Sequence, residues 1–563
     1  MGDLARMQAG TRVNAEQASK RAMWEPTRLR YGEGRRFWTS RATVIQGSHR
    51  GSGAGMYARG SQEQHGKPLV VSGCAGQPQT REGGSGPLGV AERPVVARKP
   101  GNAGGAKGPW FRVSAVSAGS QEIGMSLRPP ESVRKLQATL HAKAKEAPGY
   151  RFYSLADKIY REDVLSYAYR VSRNNDGTPG VDGESFESIE SSGVEGWLGA
   201  LAEDLRQKTY TPEAVLRVWL EKPGGGLRPL GIPTIRDRVA QTAAVVVLGP
   251  IFEADLPPEQ HAYREGRSAL DAVRRAHALV STGHLEVVDA DLAGYFDSIP
   301  HVELMRSVSG RISDGRVLRL IKLWLKAPVV EIDGRGRRRP LPRQPGRGCP
   351  QGAPISPLLA NLYMRRVVLG WKVLGHAERF GAEIVNYADD LVICCRHGAE
   401  EALRALRDLM VRLKLTLNEQ KTCVCRLPES TFDFLGYTIG RCYSPKTGKA
   451  YLGTRPSKRS VQRVCRAISE QTTRRWTLAG AEDRVERLNR LLVGWSNYFS
   501  LGPVSPAYAA VDTHVRRRLR QWLRRKHKVR GRGIARFSDE SLDRELGLVR
   551  LSARTRSFPW ATA

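Results

Sequence analysis

Ile384-Val385-Asn386-Tyr387-Ala388-Asp389-Asp390-Leu391-Val392-Ile393 sets two adjacent aspartates inside a run of aliphatic and β-branched residues. The apolar arms read as two strands, and the acidic pair falls at the turn joining them. Neighbouring carboxylates repel, and burying such charge without a partner is expensive. A divalent cation between them removes both costs, and oxygen-liganded Mg2+ is the natural candidate. Asp-Asp is common on solvated loops, but the apolar flanks argue against that reading here.

Val287-Val288-Asp289-Ala290-Asp291-Leu292 is a second strand-like run that carries acids. Alternation puts Val287, Asp289 and Asp291 on one face. Asp291 ends the run, where a strand gives way to a turn. Asp291, Asp389 and Asp390 thus offer three carboxylates from two strand ends. Such a set holds two Mg2+ ions about 3.5–4 Å apart in polymerases and nucleases.

Seven further blocks accompany these two. They are Gly177-Thr178-Pro179-Gly180-Val181-Asp182-Gly183, Arg228-Pro229-Leu230-Gly231-Ile232-Pro233, Tyr263-Arg264-Glu265-Gly266-Arg267-Ser268, the run from Pro350-Gln351-Gly352 to Asn361, Leu417 to Thr422, Phe434-Leu435-Gly436-Tyr437, and Gly494-Trp495-Ser496-Asn497-Tyr498-Phe499. One such block is weak evidence, but nine in order are strong. Over roughly residues 132–528 the chain resembles the group II intron-encoded reverse transcriptase–maturases. No Cys-Cys or His-Asn-His cluster follows the basic C-terminal helix, so the resemblance is to relatives without a DNA endonuclease. Gly352-Ala353 stands where Gly-Gly is commoner. Ser356-Pro357 argues against the diversity-generating relatives.

The resemblance implies an α+β right-hand polymerase, with fingers and palm followed by an all-helical thumb and maturase (X) domain. The implied divisions are 1–125, a low-complexity, disordered extension; 126–440, fingers and palm; and 441–563, thumb and X domain. The implied reaction is attack of a primer 3′-hydroxyl on the α-phosphate of a dNTP, using two Mg2+ ions. Asp291, Asp389 and Asp390 would be the catalytic ligands, with the Leu292 carbonyl added. Arg228 would face the triphosphate, and Lys222 either does the same or is an exposed hairpin lysine. Phe296 would lie under the sugar and clash with a 2′-hydroxyl. Gln351 and Gly352 would contact the sugar and base. Lys421 is either a proton donor to pyrophosphate or a surface lysine. Asp289 and Asp297 are read as structural.

Lys plus Arg number 90 and Asp plus Glu 56, a formal charge of +34. Such a surplus favours polyanions, through phosphate contacts and counterion release. The implied partners are the group II intron RNA, an RNA template and a DNA primer or target. Arg516-Arg517-Arg518-Leu519-Arg520-Gln521-Trp522-Leu523-Arg524-Arg525-Lys526 carries more charge than a solvated helix needs. From it, Arg516, Arg517, Trp522, Arg524 and Arg525 are expected RNA contacts, by phosphate pairing and base stacking. Arg264 and Arg267 are expected contacts in the fingers.

The eight cysteines form no paired Cys-x-x-Cys framework and read as reduced thiols. No apolar run is long enough to span a membrane, and no signal-peptide core follows Met1, so a cytoplasmic protein of a bacterial-type cell is expected, with an organelle as the lesser alternative because the Arg- and Ser-containing start resembles a transit peptide. Two other functions compete with the splicing polymerase: a non-enzymatic RNA-binding maturase, and a retron or CRISPR-associated reverse transcriptase. The intact acids argue against the first. The Gly-Trp…Tyr-Phe block and basic tail argue against the second.

Overall fold

The computed structural model describes residues 127–555, apart from 176, 222–225, 334–335 and 445–446. The expected extension 1–125 and Lys222 therefore lie outside the described residues. The strands are β1 (Val215–Glu221), β2 (Leu227–Ile232), β3 (Glu286–Asp291), β4 (Val329–Ile332), β5 (Arg338–Pro340), β6 (Glu383–Tyr387), β7 (Asp390–Cys395), β8 (Cys423–Arg426), β9 (Phe432–Phe434), β10 (Tyr437–Tyr443) and β11 (Ala450–Pro456). They form three sheets, ordered β2-β1-β4-β5, β6-β7-β3-β8 and β11-β10-β9. Helices outnumber strands, and the architecture is α+β as expected.

The second sheet is the centre. β3 lies antiparallel between β7 and β8, pairing Val288 with Ile393 and Asp291 with Asp390. Both faces of this sheet are buried, in two different cores. Val288, Ala290, Leu391 and Ile393 pack against the helices that precede and follow the sheet. Val287, Val392 and Cys394 point the other way, into a core shared with the C-terminal helices. Double burial explains why β7 after Asp390 reads as a continuous apolar run rather than an alternating one.

The helix Ile235–Glu253 is apolar all round because other elements enclose it. Ile235, Val239, Ala243, Val247 and Ile251 have no exposure. Thr234 caps it by accepting from the Asp237 amide. The Asp237 carboxylate takes the Tyr210 hydroxyl at 2.6 Å and the Glu213 amide at 3.0 Å. Trp324 donates to the same Tyr210 oxygen at 2.9 Å. Burial pushes Asp237 up to about 6. This network ties the approach to β1 to the helix Gly315–Lys326.

The expected hairpin around Gly224 is present as β1 and β2, though its tip is not described. Next to it, two backbones cross at van der Waals range. A Cβ on Gly352 would lie 2.1 Å from the Gly231 carbonyl oxygen, and Gly352 has φ +116°. The Gly231 amide donates to the Gln351 carbonyl at 2.5 Å. Glycine is required on steric grounds at this crossing.

The expected division at 440/441 falls inside β10. Leu435 (φ +50°) and Gly436 (φ +85°) make a two-residue turn that pairs Phe434 with Tyr437. The small sheet then continues to Pro456, and helix begins at Lys458. β11 escaped the sequence reading because Tyr451-Leu452-Gly453-Thr454-Arg455-Pro456 has little apolar alternation and forms an edge. From Lys458 the long elements are the helices Lys458–Gln471, Ala481–Tyr498 and Ser505–Lys526.

Replacing Gly352 with Ala should destabilise the protein by at least about 1–3 kcal/mol, from backbone strain and collision with Gly231. Calorimetry should show a lowered unfolding midpoint. An unchanged midpoint would refute the crossing.

Candidate active site

The acids owe their meeting to strand register. Asp291 is the cross-strand neighbour of Asp390, and Asp289 faces Val392. Alternation then puts Asp289, Asp291 and Asp390 on the face that Val287 and Cys394 share. Ala388 and Asp389 form the two-residue link between Tyr387 and Asp390. Ala388 has φ +59°, a left-handed conformation uncommon outside glycine.

Asn386 holds that turn. It is fully buried, and its side-chain amide donates to the carbonyls of Ala388 at 2.9 Å and Asp390 at 3.2 Å. Its own amide donates to Glu259 O at 2.9 Å, and its carbonyl accepts from the His261 amide at 3.0 Å. Sequence reading passed over Asn386. The signal was a polar residue at a position where the run is otherwise buried.

The block Leu417 to Thr422 wraps the end of β3. The Asn418 amide donates to Asp291 O at 2.7 Å, and Lys421 Nζ lies 2.9 Å from Asp291 Oδ2. Asn418 Nδ2 approaches the same oxygen at 3.4 Å. Burial, then the charges of Asp390, Asp291 and Asp433, push the Asp289 carboxyl up to about 7. The acids of this face therefore feel one another strongly.

These donors are hard oxygens and fit a hard divalent ion. Among the described residues no group of three or more His, Cys, Asp or Glu side chains is closed into a cation cage. The Asp291 carboxylate instead takes the Lys421 ammonium. That contact lowers the same repulsion a bound cation would lower.

Phe296 is half-buried, with Tyr295 at 5.8 Å and Tyr263 at 6.5 Å between ring centres. The Cys349 amide donates to Phe296 O at 2.7 Å, which fastens the start of the Gln351-Gly352 turn to it. Arg228 is exposed on β2, and its charge reaches the Tyr263 phenol together with those of Tyr387 and Asp390. Arg228, Tyr263, Phe296 and Asp390 thus lie around one region. Asp297 is flanked by Arg217 and Arg343, away from the three acids.

The expected RNA contacts divide sharply. Trp522 is only 1% exposed and sits in the C-terminal core, so it cannot stack on a base. Its helix carries an apolar stripe, and Trp522 continues the line of Val515, Leu519 and Leu523. Arg264 has a side-chain exposure of 6% and is spent on Glu253 at 2.6 Å and on the carbonyls of Pro257 and Gln260. Arg516 pairs with Asp543 at 2.7 Å. Arg524 donates to Gly531 O, and Arg267 to Pro258 O. Arg517 and Arg525 are exposed, as are Lys458 and Arg459 on the neighbouring helix, which sequence reading did not single out.

Residues 220–439, which include the whole central sheet and its acids, match the family described as reverse transcriptase (RNA-dependent DNA polymerase). Residues 461–537 match the maturase-specific domain of group II introns. Protein YkfC of Escherichia coli K12 is 31% identical over 348 residues, which cover 55% of this chain and 88% of that protein. The group II intron-encoded protein LtrA of Lactococcus lactis is 31% identical over 227 residues, covering 38% of this chain and 35% of LtrA. A solved partial Cas6-RT-Cas1–Cas2 complex matches at 22% identity with a TM-score of 0.31, over 46% of this chain and 42% of that one. The chain belongs to the group II intron-encoded reverse transcriptase–maturase family.

Trp522→Ala should cost about 3–5 kcal/mol of stability in the C-terminal helices, as large-to-small changes in a core do. Denaturant unfolding measures it. A variant that keeps full stability but loses RNA affinity would overturn the buried placement.

Proposed function

We propose that this protein is an RNA-directed DNA polymerase that also binds its group II intron RNA, assists splicing, and supports mobility by target-primed reverse transcription. The observation that carries the enzymatic part is the register that sets Asp291 against Asp390 beside the Asp389 turn. A non-enzymatic maturase has no use for that arrangement. The maturase-specific match over 461–537 favours the intron type over a retron or CRISPR-associated one. The cytoplasm is the proposed compartment; among the described residues no helix is long and apolar enough to cross a membrane.

Asp291, Asp389 and Asp390, with the Leu292 carbonyl, would hold two Mg2+ ions, which supply Lewis acidity and charge neutralisation for phosphoryl transfer. The chain's own residues do the rest. Asn386 fixes the turn so that Asp389 and Asp390 keep their positions. Lys421 lies close enough to Asp291 to balance the acids and, once released, to give a proton to the leaving pyrophosphate. Arg228 presents positive charge to the triphosphate. The Gln351-Gly352 turn contacts the sugar and base, held beside β2 because the missing Gly352 side chain lets it pack against Gly231. Phe296 forms the floor beneath the sugar and disfavours a 2′-hydroxyl. The fingers and palm are proposed to extend from the first described residues to Pro456, and the thumb and X domain from Ser457.

Asp389→Asn should abolish Mg2+-dependent primer extension while leaving intron RNA affinity and splicing near the parent's values. Extension by this variant at a comparable rate would remove the assignment.

Arg517 and Arg525, rather than the internally paired Arg516 and Arg524, should carry RNA phosphate contacts. Neutralising both should lower affinity and shrink the salt slope by up to about two units, near one per contact. Splicing at low Mg2+ should fall while primer extension persists. A double variant that splices like the parent would shift the RNA surface to Lys458 and Arg459.

A further inference from the structure

Tyr263 has φ +57°. A bulky non-glycine residue held there costs of order 1–3 kcal/mol and stays only where the surroundings impose it. Here they do so on both sides. Arg264 is locked by Glu253 at 2.6 Å, Pro257 O at 2.7 Å and Gln260 O at 2.8 Å. Upstream, Asn361 Nδ2 donates to Ala262 O at 2.6 Å, and the His261 amide pairs with Asn386 O. The segment is thus bolted to the palm, and the left-handed residue, which also packs against the core shared with the C-terminal helices, aims its ring at a further target.

That target is Phe296, met edge-to-face at 6.5 Å and 80°. The other ring beside Phe296 is Tyr295, at 5.8 Å and 69°. Tyr295 is 2% exposed and anchored by its hydroxyl to Ala360 O at 2.6 Å, so it cannot move. Tyr263 completes the support from a second direction.

We infer that Tyr263 is a positioning residue for Phe296 and thereby sets the discrimination between deoxyribonucleotides and ribonucleotides. The inference rests on the reading of Phe296 as the floor beneath the sugar. A wall that only touches its ligand rejects an extra hydroxyl by roughly a hundredfold. It does so only if it cannot recoil, because displacement by a fraction of an ångström admits one more oxygen. Rigid backing therefore matters as much as the wall. Arg264, expected from sequence as an RNA contact, acts here through Tyr263.

Single-nucleotide primer extension with dNTP and rNTP tests this, with the ratio of the two kcat/KM values as the readout. Tyr263→Ala and Tyr263→Leu should each relax the ratio by roughly tenfold, a part of the hundredfold such contacts supply. Tyr263→Phe should hold the parent's ratio, since the ring and not the hydroxyl does the backing. Phe296→Ala should relax the ratio fully, and adding Tyr263→Leu to it should change nothing more. If Phe296→Ala relaxes the ratio and both Tyr263 replacements keep the parent's, the backing role is wrong and the floor stands. If Phe296→Ala leaves the ratio unchanged, the floor itself is wrong, and this inference goes with it. A further relaxation in the double variant also overturns it, because Tyr263 would then act independently of Phe296.

Discussion

Like charges held side by side at the ends of two buried strands are the constraint on which this molecule turns. Asp291, Asp389 and Asp390 would separate if the chain let them. β3 and β7 prevent it by pairing along six residues, each strand clamped between two hydrophobic cores. Asn386 prevents it at the turn, with two hydrogen bonds from one buried amide. Lys421 offsets part of the repulsion from outside the sheet. Packing and hydrogen bonds thus keep negative charge concentrated at the ends of two strands.

The two cores also bind the halves of the chain together. The face that carries the acids also carries Val287, Val392 and Cys394, and these pack into the same cluster as the helices Ala481–Tyr498 and Ser505–Lys526. The joint between them is aromatic. Tyr437 on β10 lies against Phe499 at 5.2 Å, Tyr498 donates to Leu435 O at 2.8 Å, and Tyr508 donates to Phe499 O at 2.9 Å. The Phe-Leu-Gly-Tyr and Gly-Trp…Tyr-Phe blocks, some sixty residues apart in sequence, are therefore two sides of one packed contact.

Much of the palm was legible because its signals are local. Strand character, the Asp-Asp turn and the shared face of Val287, Asp289 and Asp291 all follow from residue order and period two. What stayed hidden depends on partners far away in the chain. Trp522 and Arg264 looked like ligands for RNA because charge and aromaticity advertise binding. Only the fold reveals that one fills a core and the other is consumed by Glu253 and two carbonyls. Tyr263 and Asn386 carried no conspicuous chemistry, yet the first adopts a strained backbone and the second fixes the acids. β11 was missed because an edge strand tolerates the Gly, Arg and Pro that argue against a central one.

The passage of Gly231 against Gly352 has a mechanical meaning. Arg228 stands on the strand of the first glycine, and Gln351 on the turn of the second. Their backbones touch, share a hydrogen bond and leave no room for even a methyl group. The phosphate side and the sugar side of the proposed pocket are thus one solid jaw rather than two independent fingers. A shift of either segment is therefore handed directly to the other through the Gly231–Gly352 contact and its hydrogen bond.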